Sequence, residues 1–371
     1  MSMPLSPQEQ LVRSLRECYE CFGYQRFPMK RFEEYSLYAT HQRFLMSESV
    51  LTFANADGKL MALKPDVTLS IAKQTKADVQ GAERLYYAES VYRVSPTNHA
   101  FVEIQQLGVE YLGEITPYIT TEVLSLAIET LEQTGFAHVL DMSHMGYVHG
   151  IMQEAKMEET AQTQVQELIK KRNQHELNEL LDGLNINENV KHALMALTTL
   201  NGEVEEVLTV AEKYCLNEEM TNAVDALRHH ANTLNKLGRG TGLRLDFSMI
   251  NDMDYYNGLI FRGYIEHAPR VVLSGGRYDP LLEKLGKKAN GLGFALYLNE
   301  LETLISRPRD CDVEAVLHCE KTADEIAIYQ AIKRLQKRFD RVWVQQDKSS
   351  KLRAKTHFTL VGTEVKEGLP C

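Results

Sequence analysis

Leu11, Leu15, Cys18 and Phe22 recur three or four residues apart and predict an amphipathic helix, which Gly23 stops. Before it, Ser6-Pro7-Gln8-Glu9 places a capping serine, a proline at the first helical position and a glutamate at the third, a capping box in sequence form. Gly23 to Pro28 then reads as a strand whose proline confines it to an edge. Residues 51–63 form two apolar runs around Asp57-Gly58, a hairpin signal. Leu85 to Ala88 and Val102 to Tyr111 are strand-like, and their closeness in the chain implies antiparallel pairing, because a parallel return needs a longer crossover.

From about Met152 to Leu237 the pattern becomes polar and helix-favouring, with Val165, Leu168 and Ile169, then Leu177, Leu180 and Leu181, then Leu194, Leu197 and Leu200 at helical spacing. This stretch reads as a helical insertion. Strand signals return at Leu243 to Phe247, Leu259 to Tyr264 and Arg270 to Leu273, and Gly293 to Leu301 is read as opening a helix that runs to about Ile305. Arg307-Pro-Arg-Asp310 reads as a linker. Beyond it, Val313 to His318, Ala323 to Phe339, Val342 to Gln345 and Phe358 to Val361 predict strand, helix, strand, strand, a small α/β unit. The domains expected are therefore 1–306, with the insertion at about 152–237, and 311–371.

Composition narrows the function classes. The 371 residues carry 41 Lys+Arg against 51 Asp+Glu, a net charge of -10. That balance disfavours a protein built to grip phosphate backbones, since Lys and Arg do that work. Residues 311–371 alone sum to +2, which leaves -12 on residues 1–310. Lys333, Arg334, Lys337, Arg338 and Arg341 read as a solvated helix face and the one place for a nucleic-acid contact. No stretch approaches the roughly 20 apolar residues of a membrane span, and the start lacks a signal-peptide pattern, so a cytoplasmic protein is expected. Six scattered cysteines make no disulfide framework, and Cys18 and Cys21 fall inside a helical pattern.

Phosphate-loop, HExxH and GxSxG signatures are absent. Gly238, Gly240 and Gly242 precede a strand and read as a loop, and His144, His149, His229 and His230 read as structural or surface histidines rather than metal ligands. Four segments carry chemistry. Leu63-Lys-Pro-Asp-Val-Thr68 sets an acid and a hydroxyl two apart, on one side of an extended chain. Tyr92-Arg93 with Gln106-Leu-Gly-Val-Glu110 adds a guanidinium, an amide and a carboxylate. Asp254-Tyr-Tyr256 and Ser274-Gly-Gly-Arg-Tyr-Asp279 add aromatics and a glycine pair that lets a ligand approach the backbone. Acids for an ammonium, a guanidinium for a carboxylate and tyrosines as amphipathic walls make up a small zwitterion pocket. Composition alone equally allows these residues to be ordinary cross-strand pairs.

In this order and separation the four segments resemble the histidyl-tRNA synthetases over roughly residues 7–150 and 240–305. The resemblance implies an α+β, class II aminoacyl-tRNA synthetase-like fold: an antiparallel sheet flanked by helices, with the helical insertion and the small C-terminal α/β domain. Asp254-Tyr-Tyr256 and Gly275-Gly-Arg-Tyr-Asp279 look like that family's two histidine-specific signatures. By position, Asp66 stands where the family has a glutamate for the α-amino group, and Thr68 and Gln106 match its neighbours. Arg93 matches the second-motif arginine, Glu110 the acid facing the imidazole, and Tyr256 and Tyr278 the pocket tyrosines. The adenylation cations are replaced: the catalytic arginine by Asn251 and the third-motif arginine by Glu300, while Ser95 and Val102 stand where the second motif has an acid and an arginine.

An amino-acid pocket beside a broken nucleotide site is similar to the regulatory subunits of ATP phosphoribosyltransferase, synthetase-like proteins of histidine biosynthesis. That resemblance implies a non-catalytic, allosteric subunit without cofactor or metal. It implies a short-form catalytic partner, histidine as a ligand, and a homodimer core, through Phe22 to Tyr38, within a hetero-octamer. An active histidyl-tRNA synthetase or a tRNA sensor is the alternative.

Overall fold

Pro7–Cys21 forms the first helix, and its start is the expected capping box: the Ser6 N–H donates to Glu9 Oε2 at 2.7 Å and the Glu9 N–H to Ser6 Oγ at 3.3 Å. Cys18 and Cys21 both lie in this helix and are free thiols. In this computed structural model the described residues are 5–39, 50–75, 81–95, 98–250, 255–305, 311–346 and 352–368. The chain divides into two compact units, Leu11–Ile305 and one formed by Met1–Gln10 with Ser306–Cys371. Asn251 and Asp254 of the expected site, and the expected linker 307–310, lie outside the described residues.

The larger unit is organised by a sheet of nine strands among the described residues. Their order is Gln25–Arg26, Glu83–Val94, Phe101–Gly113, Asn290–Tyr297, Leu273–Arg277, Leu259–Ile265, His138–His144, Leu243–Asp246 and Asn201–Glu203. All pairings are antiparallel except Gln25–Arg26 with Glu83–Val94 and His138–His144 with Leu243–Asp246. The Gln25–Arg26 strand is an edge, as Pro28 predicts. A separate three-stranded sheet contains the hairpin of Thr52–Ala54 and Leu60–Leu63, turned at Gly58 with φ +75°.

Strand alternation sorts the side chains of the two long central strands onto opposite faces. Tyr86, Leu107 and Val109 join the main core, to which the Pro7–Cys21 and Pro117–Glu132 helices contribute Leu15, Tyr19, Val123 and Leu131. Leu85, Tyr87 and Leu112 join a second core with the Val67–Gln74 and Asp279–Lys284 helices. Gln106 and Glu110 share register parity with Leu112, so they belong to this second face, where polar residues are surrounded by apolar ones.

Six helices from Met145–Ala155 to Glu218–Lys236 build the insertion, interrupted by the Asn201–Glu203 strand, which the sequence reading lacks. Three residues of Asn, Gly and Glu carry no apolar alternation, and backbone pairing to Leu243–Asp246 makes them a strand. Two boundaries shift. Asn290–Tyr297 is a strand and the helix begins only at Leu298, and the strand expected at Arg270 to Leu273 is displaced to Leu273–Arg277. Both stretches are sheet interior, and their glycines are required by tight strand-to-strand packing rather than by turns.

The smaller unit has a four-stranded sheet in the order Val342–Gln345, Val313–His318, Ala354–Val361 and Glu364–Glu367, with the Glu325–Leu335 helix capped by Asp324. The last strand, a hairpin return through Gly362, is additional to the expected elements. No helix among the described residues is long and apolar enough to cross a membrane.

Candidate functional site

Leu60–Leu63 ends a strand, and three residues later the Val67–Gln74 helix begins with Asp66 as its cap. The Leu69 N–H donates to Asp66 Oδ1 at 2.7 Å. The expectation of an extended chain through Leu63 to Thr68 is therefore corrected: Asp66 and Thr68 sit at the cap and in the first turn of a helix, because a capping acid satisfies otherwise orphaned N–H groups. Thr68 still projects toward the sheet, where its hydroxyl donates to Glu110 Oε1 at 2.7 Å.

Glu110 is the hub. It is 2% exposed, and its second oxygen, Oε2, accepts from the Tyr278 hydroxyl at 2.6 Å. Burial pushes its carboxyl up to about 8, against the pull of the Tyr278 and Thr68 hydroxyls, and the nearby Asp66 charge adds to the rise. Burial also raises Asp66, opposed by the Leu69 N–H, Arg93, the Thr68 N–H and Lys64. Tyr255 shares Thr68 as a hydrogen-bond partner, packs against Tyr256 with ring centroids 4.6 Å apart and planes tilted by 44°, and lies 6.3 Å from Tyr278. Arg93 donates through Nε to the Pro65 carbonyl at 3.0 Å, so it braces the chain beside Asp66. Gln106, 6% exposed, stands opposite Glu89 and Tyr297 in the sheet. The carboxyls of Asp66 and Glu110, the Gln106 amide and several phenols are complementary to a small cationic, hydrogen-bonding ligand.

Glycines make the room. A Cβ at Gly293, directly across from Glu110, would lie 1.9 Å from Glu110 Oε2, and one at Gly291 would lie 2.1 Å from the Tyr278 ring. At Gly276 it would meet the Tyr256 ring at 2.8 Å, and at Gly275 the Gly293 carbonyl at 2.4 Å. The Gly275-Gly276 pair therefore admits protein groups, which corrects its reading as a ligand approach. Gly293→Ala is expected to destabilise the chain by about 1–3 kcal/mol through overpacking and to displace Glu110; thermal unfolding of the variant checks this, and an unchanged midpoint refutes it.

Sequence reasoning missed Tyr87, Gly291 and Gly293, and named Tyr255 only within the Asp254-Tyr-Tyr256 segment. Tyr87 is fully buried, and its hydroxyl is raised by burial and by the Glu110 and Asp66 charges. The alternating glycines of Asn290-Gly-Leu-Gly-Phe294 were the available signal, since glycines two apart in a strand leave one face open.

The remaining candidates are placed elsewhere. Glu300, in the first turn of Leu298–Ile305, lies 3.6 Å from the exposed Arg270. Ser95 turns the chain, accepting from His99 N–H at 2.9 Å, and Val102 is partly exposed. His144 caps a helix through Nδ1 and lines a separate concavity of about 430 Å³ with Glu218, Glu219, Asn222 and Asn257. Burial, with the Arg277 and His230 charges, lowers it to about 4. His149 pairs with Glu219 at 2.8 Å, and His230 contacts Thr121 at 3.4 Å and the His229 ring.

The family model described as Histidyl-tRNA synthetase matches residues 5–301. The ATP phosphoribosyltransferase regulatory subunit of Geobacter metallireducens is 30% identical over 308 residues, spanning 81% of this chain and 70% of that protein. The structure of an ATP phosphoribosyltransferase regulatory subunit/histidyl-tRNA synthetase from Bacillus halodurans matches with a TM-score of 0.80 at 22% identity, covering 96% of this chain and 94% of that one. A chain of the ATP phosphoribosyl transferase complex from Thermotoga maritima matches at 0.62 and 19% identity, over 78% of this chain and 96% of that one. The chain belongs to the histidyl-tRNA synthetase family and, within it, to the ATP phosphoribosyltransferase regulatory subunits.

Proposed function

We propose that this chain is the non-catalytic regulatory subunit of an ATP phosphoribosyltransferase, required for the partner's activity and for feedback control by histidine in the first step of histidine biosynthesis. The observation that carries the ligand assignment is the Glu110 hub: a buried carboxyl held by two hydroxyls, with the Asp66 charge nearby and tyrosines around it. In this reading Asp66 takes the α-ammonium with Thr68 and Gln106 as its neighbours, Arg93 serves the carboxylate, Glu110 faces the imidazole, and Tyr256 and Tyr278 form the walls.

The nucleotide half is not served. Adenylate formation requires cations that neutralise a triphosphate and its transition state. Glu300, which replaces one of them by resemblance, puts a negative charge on the helix after Tyr297. Two unit charges 4 Å apart interact by about 4 kcal/mol at an effective dielectric of 20, so this exchange opposes ATP. Asn251 replaces the other cation by the same resemblance.

The partner is a short-form catalytic subunit, and the assembly is a homodimer core within a hetero-octamer located in the cytoplasm. A coupling of about 1–3 kcal/mol suffices for feedback, and it is reciprocal: partner binding changes histidine affinity by the same factor that histidine changes partner binding. The test mixes the purified chain with a short catalytic phosphoribosyltransferase. Activity is expected only in the mixture and is suppressed by histidine, with no histidine-dependent exchange of pyrophosphate into ATP by the chain alone. Robust exchange, or a partner indifferent to the chain, refutes the reading.

A further inference from the structure

Lys64 has no exposed side-chain surface, and its ammonium lies 3.0 Å from Glu89 Oε2, itself 15% exposed. A fully buried lysine is rare unless paired, and such a pair is weak evidence for stability because desolvation offsets much of the attraction. Its position suggests another use. Lys64 sits where the small three-stranded sheet hands over to the helix capped by Asp66. Its partner Glu89 lies in the central sheet, directly opposite Gln106.

Backbone contacts fix the same junction. The Lys64 N–H donates to the Arg31 carbonyl at 3.0 Å, and the Tyr92 N–H to the Lys64 carbonyl at 2.9 Å. Arg93 Nε donates to the Pro65 carbonyl at 3.0 Å, and Lys64 Nζ also reaches Met29 Sδ at 3.3 Å. These contacts locate the main chain on the strand. The Lys64–Glu89 pair is the one ion pair among them, and it ties the residue two before the Asp66 cap to the strand position directly opposite Gln106.

We infer that Lys64 and Glu89 are positioning residues of the ligand site: their part-buried pair sets where the Asp66 carboxylate stands relative to Gln106, and so tunes recognition of an α-ammonium group. The inference rests on the histidine-pocket reading. Lys64 also adds a positive charge that favours the ionised form of Asp66, the form an ammonium requires.

The test compares the full chain with a Lys64→Met/Glu89→Leu double variant, which removes both charges at similar volume. Two probes are titrated by calorimetry, histidine and 3-(imidazol-4-yl)propionate, which keeps the ring and carboxylate but lacks the ammonium. The double variant is expected to lose about tenfold in histidine affinity while the des-amino analogue changes less than twofold. Equal loss for both ligands, or no loss for either, overturns the inference. If the double variant does not fold, Glu89→Gln, which keeps shape but not charge, is expected to act in the same direction by about threefold, and an unchanged histidine affinity there overturns it. Failure of the unmodified chain and its complex to bind histidine defeats the pocket reading itself, a result distinguishable from failure of the pair.

Discussion

Glu110→Gln is expected to lower histidine affinity by about two orders of magnitude. Leaving a buried hydrogen-bonding group without its partner costs about 1–3 kcal/mol, and each 1.4 kcal/mol is tenfold. The amide keeps the shape of the carboxyl but turns one acceptor into a donor. Either Thr68 or Tyr278, which both donate to Glu110, then faces an N–H instead of an oxygen. Calorimetric titration of histidine into the variant checks the value, and an affinity within threefold of the unmodified chain refutes the assignment of Glu110 to the ligand.

The same variant separates a second effect. Glu110 has an ordinary value of 4.5 and is pushed up to about 8 in the folded chain, so the folded state binds its proton more tightly than the unfolded state does. Stability therefore falls as pH rises from about 4.5 to about 8, the interval in which the folded chain must retain or surrender that proton. Glutamine has no proton to surrender. Urea unfolding at pH 5 and pH 9 should show a larger drop for the unmodified chain than for Glu110→Gln, and parallel drops would contradict the burial account.

Asp66→Asn is expected to cost roughly ten- to hundredfold in histidine affinity and almost nothing in stability. The reason is that Asp66 carries two duties that different atoms of chemistry can satisfy. As helix cap it needs an oxygen to accept from the Leu69 N–H, and asparagine caps as well as aspartate does. As ammonium receptor it needs the negative charge, and hydrogen bonds to charged groups contribute about 1.5–3 kcal/mol. Asp66→Ala loses both, so its unfolding free energy should drop by about 1 kcal/mol on top of the affinity loss. Chemical denaturation and calorimetry on the two variants make the comparison. Equal affinity of Asp66→Asn and the unmodified chain would show that Asp66 is a cap alone.

These variants exploit a feature the chain shows repeatedly, that residues of the pocket also hold the fold. Arg93 braces Pro65, Tyr256 fills the space beside Gly276, and Tyr278 is buried between Gly291 and Glu110. A position-by-position resemblance names such residues without distinguishing the two duties. The contacts distinguish them, because a hydrogen bond to the main chain is visible whether or not a ligand is bound.

The local pattern of the chain was enough to determine the elements whose cause is local. The capping box at Ser6 and Glu9, the edge strand after Gly23, the hairpin at Gly58 and the antiparallel pairing of the two long strands each depend on residues a few positions apart. The four chemical segments were also legible, since acids, amides and tyrosines are few on an apolar strand and stand out. Tertiary structure alone decided where the glycines of strands 273–277 and 290–297 were needed, that Asp66 opens a helix instead of continuing a strand, and that Asn201–Glu203 pairs at all. It also decided that Lys64 is neutralised by Glu89, 25 residues away in the chain. Burial and cross-strand register are sums over distant residues, and a carboxyl's proton affinity follows burial, so the raised Glu110 at the centre of the pocket could be named from the sequence but not weighed.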